Sequence, residues 1–169
     1  MSNLTSTPEH ASNVVHLATR APERLVGVGF RCWMQGLTGA DIASWEDAFA
    51  AYSATLGPDR AKDLLIDLSQ FVRAVSTSAE REITVQPPGC AGFCRDECLA
   101  ISIIAACQHG RRDALCKSAA ALLGSAAIGD ALIGAQSFAE RLQAADQRLS
   151  AESVCPAVCA LHVNRSRIS

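Results

Sequence analysis

Apolar residues recur at helical spacing along most of this chain. Behind Pro22, a residue suited to a first helical turn, Leu25, Val26, Gly29, Phe30, Trp33 and Leu37 form one stripe. Thr38 and Asp41 supply a cap, and Ile42, Trp45, Phe49, Tyr52 and Leu56 then follow at steps of three and four until Gly57-Pro58. Ala61, Leu64, Leu65, Leu68, Phe71, Val72 and Val75 predict a third helix, from Pro58 or Asp59 into the low 80s. Ile83-Thr84-Val85 is strand-prone but too short to imply a sheet, and Pro87-Pro88-Gly89 is the clearest break in the chain.

Beyond that break the pattern changes. Leu99 to Cys107 is apolar almost without interruption, which predicts a helix from Cys90 to His109 buried nearly all round. Arg111 to Leu123 reads as a short helix stopped by Gly124. Another runs from Ser125 to about Leu149, with Ile128, Leu132, Phe138, Leu142 and Leu149 inward. Gly129 and Gly134 weaken it by about 1 kcal/mol each relative to Ala, and they leave room for a close neighbour. A last short helix starts around Cys155-Pro156 and fades near Asn164.

These elements predict an all-α fold: a single compact bundle of five to seven helices with a central, buried, cysteine-bearing helix. Residues 1–20 read as a flexible lead, 21–163 as the helical domain and 164–169 as a loose tail. The expected core contains Trp33, Trp45, Phe49, Leu65, Leu68, Phe71, Ile101, Ile104 and Leu142. With 169 residues the chain is long enough to bury such a core, and its many alanines suit closely packed helices.

Charge narrows the functional classes. The net charge is −2, with both signs spread along the chain, so no nucleic-acid footprint is evident. Thr38 to Ala43 faintly suggests a helix-turn-helix entry, but Ser44 to Leu56 has no Arg, Lys, Gln or Asn to read base edges. The longest apolar stretch, Ser118 to Gln136, is mostly Ala and Gly and carries Asp130, which fits a core helix and no membrane span. The first twenty residues lack the pattern of a secretory signal, so a cytoplasmic protein with reduced cysteines is expected. Glu-x-x-His, CxxCH, the phosphate loop, G-x-G-x-x-G and G-x-S-x-G are all missing from the sequence, which leans away from an enzyme.

The candidate chemistry lies in the cysteines. Cys90, Cys94 and Cys98 are spaced by four, and the spacing returns in Cys155 and Cys159, with His162 beyond. On a helix such residues share a face with Cβ atoms about 5–6 Å apart, too far for a bond between them but suited to a common ligand. Thiolates and imidazole are the donors of zinc and of Fe–S clusters, so Cys90, Cys94, Cys98, Cys155, Cys159 and His162 form the candidate metal set, which Glu97 could join. Redox-sensing thiols are the other active use, and small packed residues the inert one. The shared spacing predicts Cys155 or Cys159 against the helix of Cys94 and Cys98. Cys32, Cys107 and Cys116 read as packed thiols, with Cys107 and Cys116 placed so that they could face one another across Gly110. Arg95-Asp96-Glu97 reads as a polar first turn with acids where the helix dipole prefers them. The sequence therefore points to a small regulatory or accessory protein with a cysteine-based site, or to a helical interaction module with structural cysteines. Its expected partner is another protein in either case.

Overall fold

Six α-helices and a short 3₁₀ turn make up residues 20–154, the part of the chain that the computed structural model describes. They are α1 (Ala21–Gly39), α2 (Ile42–Leu56), α3 (Pro58–Ser78), α4 (Arg95–Gln108), α5 (Arg112–Leu123) and α6 (Gly129–Ala144), followed by the turn Ala151–Ser153. No strand occurs among the described residues, and the helices pack as one bundle. The helix expected from Cys155 onward lies outside the described residues.

The early stops behave as the sequence dictates. Asp41 accepts a hydrogen bond from Ala43 N–H at 3.0 Å and caps α2. Gly57, at φ 84°, separates α2 from α3, and Gly124, at φ 64°, ends α5. α1, α2 and α3 pack on one another in sequence, α3 lies along α6, and α4 contacts α1, α5, α6 and the 3₁₀ turn. Between α3 and α6 the backbones touch: a Cβ at Gly134 would come within 2.8 Å of Phe71 Cα. The glycine expected to admit a neighbour does so, whereas Gly129 has nothing near it.

Four boundaries differ from expectation: α6 begins at Gly129 rather than Ser125, and three others move because a backbone group finds a better partner outside the helix. α3 stops at Ser78, and two residues on, Glu80 N–H bonds Leu123 O at 2.8 Å. α6 ends at Ala144, and Asp146 turns the chain at φ 60°. Leu149 then lies against the end of α4, where Gln108 Oε1 accepts its N–H at 2.8 Å and His109 Nε2 meets its carbonyl at 2.8 Å. The cysteine helix begins at Arg95, not Cys90, because the preceding residues are spent on side chains of α1 and α4.

The core holds Leu65, Leu68, Phe71, Ile101, Ile104 and Leu142 as expected, but not the aromatic residues near the start. Trp33 and Trp45 are half-buried, their rings 5.7 Å apart, and Phe49 is exposed. α2 turns its narrow stripe of Ser44, Ala48 and Tyr52 inward instead. Tyr52 is fully buried and donates to Leu25 O at 2.7 Å, filling the space over Gly29. A small-residue face with one tyrosine brings α2 closer to its neighbours than a face of two large rings would allow.

At the far end the chain closes on itself. Ser150 N–H and Ser153 Oγ donate to the buried Glu23 Oε1 at 2.8 and 2.7 Å. Arg20 reaches Glu152 at 3.4 Å. The start of α1, the end of α4 and Val154 therefore share one pole of the bundle.

Candidate functional site

The connection between α3 and α4, residues 79–94, carries the features that the helices do not explain. It is irregular throughout, with Pro87 to Ala91 exposed. A loop of this kind is held only if its backbone groups find partners. Here the partners are two adjacent acids in the first turn of α4 and one stripe of α1.

Glu97 is fully buried, as is nearly all of Arg31. Arg31 Nε and Nη2 donate to Glu97 Oε1 and Oε2 at 2.6 and 3.1 Å, a bidentate pair. Each partner then holds the loop. Glu97 Oε1 accepts Gln86 N–H at 3.1 Å, and Oε2 accepts Cys94 N–H at 2.8 Å. Arg31 Nη1 donates to Cys90 O at 2.8 Å and Nη2 to Gly92 O at 2.7 Å. Burial opposes the guanidinium charge, but Glu97 outweighs it and raises the Arg31 pKa.

The same face of α1 contributes at steps of four. A Cβ at Gly27 would overlap the Phe93 ring, which also lies 5.3 Å from the Arg31 guanidinium. Gln35 Nε2 donates to Gln86 O at 2.9 Å. Gly27, Arg31 and Gln35 thus form a track along which residues 86–93 lie.

Asp96, also buried, fixes the first part of the loop. It pairs with Arg81 and accepts Thr84 N–H at 2.8 Å and Thr84 Oγ1 at 3.2 Å. Arg81 in turn reaches Ala121 O at the end of α5. Asp96 and Glu97 do stand in the first turn, as the dipole argument expects, but they are not an exposed polar turn. They are internal anchors.

The cysteines fall around this anchor. Cys90 is exposed in the loop, Cys94 is the N-cap of α4 and Cys98 lies one turn in. The shared-face argument therefore covers Cys94 and Cys98 but not Cys90. Cys94 Sγ lies 3.2 Å from Thr84 O as a donor, and burial pushes its thiol pKa up. Burial does the same for Cys32 inside α1. Neither setting favours a thiolate. Among the described residues, no group of three or more His, Cys, Asp or Glu side chains gathers where it could hold a metal ion. The other candidate ligands, Cys155, Cys159 and His162, lie outside the described residues. Val154 sits at the pole where α4 ends, whereas Cys94 sits where α4 begins, about 20 Å away along a 14-residue helix.

Cys116 borders an open cleft of about 470 Å³ between α5 and α6, with Arg112, Leu132, Ile133 and Glu140. Cys107 lies nearby and is the most perturbed thiol in this region. Burial, helped by the charge of Glu140, pushes its pKa up to about 12. The unfolded thiol ionises near about 8.5, so the native state holds this proton more tightly. The resulting stabilisation is complete below that pH and is lost as pH rises toward about 12. In denaturation curves at rising pH, the wild type is expected to lose stability through this window more steeply than Cys107→Ala. Equal slopes would remove Cys107 as the cause. At pH 8, iodoacetamide should label exposed Cys90 well before Cys107.

The Gly27–Arg31–Gln35 track escaped the sequence reading, which followed the apolar stripe beside it. Its signal is present, as Gly, Arg and Gln at steps of four in a helix otherwise poor in polar residues. The chain matches no protein-family model, no curated protein and no solved structure.

Proposed function

We propose that the protein is a small regulatory or accessory interaction module of the cytoplasm, and that the anchored loop is the surface it offers to a partner protein. One observation carries this reading: Pro87 to Ala91 is exposed while the backbone around it is fixed by a buried Arg31–Glu97 pair. A buried ion pair is a poor source of stability compared with apolar packing, and its better-attested use is to fix one arrangement. A loop so fixed loses little entropy on binding, which favours affinity. A photo-crosslinking residue at Ala91, introduced in the native host, should give a discrete protein adduct. The adduct should fade when Glu97→Gln loosens the anchor. Adducts formed only from the exposed Phe49 face of α2 would move the contact surface there and refute the proposal.

A second reading keeps the cysteine-based site. Cys90, Cys94 and Cys98 lie within nine residues around the start of α4, and none of the described cysteines is in a disulfide. The three do not make a metal site by themselves, so zinc or an Fe–S cluster would need donors from Cys155, Cys159 or His162. Elemental analysis and visible absorbance of anaerobically purified protein test this directly. Protein free of zinc and iron would refute it.

A further inference from the structure

We propose that Cys90 and Cys94 form a reversible disulfide within the anchored loop when a peroxide reaches the exposed Cys90. The steric objection to a bond between cysteines four apart holds for a regular helix, and this segment is not one. α4 begins only at Arg95. Upstream, Cys90 N–H closes a turn on Pro87 O at 3.3 Å, and Gly89 stands at φ 77°. If residues 90–94 were extended, the two Cα atoms would be about 13 Å apart. They are not extended. The carbonyls of Cys90 and Gly92 both bind the Arg31 guanidinium, and the Cys94 amide binds the carboxylate paired with it. One ion pair therefore gathers both ends of the CAGFC segment, and the chain between them curls.

The two sulfurs divide the labour. Cys90 is exposed and open to attack on peroxide, whereas Cys94 is half-buried and hydrogen-bonded to Thr84 O. The Cys90 thiolate displaces hydroxide from the peroxide, giving a sulfenic acid, and one water is released. Cys94 sulfur then attacks the Cys90 sulfur. The S–S bond forms, the S–O bond breaks, and the departing hydroxide takes the Cys94 proton as a second water. Two thiols are oxidised by two electrons and one peroxide is reduced to two waters. Cys98 is the poorer partner for Cys94, because its sulfur is turned to Phe93 O at 4.0 Å while the Cys94 sulfur is turned to Thr84 O at 3.2 Å. The inference is independent of the partner proposed above, since it concerns only the chemistry of the free loop.

The sequence supplies a clean readout. Trypsin cleaves after Arg81 and Arg95, releasing Glu82–Arg95 with Cys90 and Cys94 as its only cysteines. After a brief hydrogen peroxide pulse on the full chain, followed by alkylation and digestion, this peptide should lose two hydrogens and resist alkylation. Dithiothreitol should restore both sites. The Cys94→Ser variant should instead leave a sulfenic acid on Cys90 that dimedone traps, with an unchanged circular dichroism spectrum. A linkage from Glu82–Arg95 to Asp96–Arg111, which carries Cys98 and Cys107, would overturn the assignment. So would oxygen addition at Cys90 in the wild type without any loss of hydrogen.

Discussion

Replacing Glu97 with Ala should cost about 3–5 kcal/mol of folding stability, read as a fall in the urea midpoint. The substitution leaves Arg31 charged, buried and without its carboxylate, and strips the Gln86 and Cys94 amides of their acceptor. Each of these groups then lacks what water had given it in the unfolded chain. The loss should not mean that the pair is a net source of stability. Arg31→Met combined with Glu97→Leu should recover most of it, because apolar side chains of similar volume carry no desolvation penalty. The double variant should nonetheless show faster hydrogen exchange across residues 86–94, since the bonds to the Gln86 and Cys94 amides and to the Cys90 and Gly92 carbonyls are gone. A double variant with a wild-type exchange pattern would show that packing of Phe93 over Gly27 suffices to place the loop.

The second large effect is expected at Phe71→Ala, also about 3–5 kcal/mol by urea denaturation. Phe71 is fully buried, and its ring lies 6.2 Å from that of Phe30 on α1. What sets the cost of such a truncation is whether the neighbours can close the cavity. Here they cannot, because the Phe71 backbone already touches α6 at Gly134, so α3 and α6 have no gap left to surrender. The cavity should persist and the loss should fall at the upper part of the range. A cost near 1 kcal/mol would mean that α1 moves in to fill the space.

The contrast between these two sites explains what could be read from the sequence. Phe71, Leu65 and Leu68 announce themselves by spacing, because burial of a helix face depends mainly on periodicity. The helix count, the Gly57-Pro58 and Gly124 stops and the close approach at Gly134 were legible for the same local reason. α2 was misread in part: Tyr52 of the expected stripe is buried, but Ser44 and Ala48 join it in place of Trp45 and Phe49, by packing depth that no periodicity reports. The loop anchor was out of reach. Arg31 and Glu97 are 66 residues apart, and each alone resembles an ordinary surface charge on a helix. The cysteine spacing was conspicuous yet misleading at Cys90, since the regular repeat continues across a boundary where the helix does not. That boundary is set by Glu97, which caps the Cys94 amide, and by Arg31 on a different helix, which holds the residues before it.

The meeting of Arg20 and Glu152 has a practical corollary. Both routes out of the described bundle leave from one pole, and the length of α4 lies between that pole and Cys94. Spectroscopic labels placed at Arg20 and at Val154 therefore sit close together, and a label at Cys94 sits far from both.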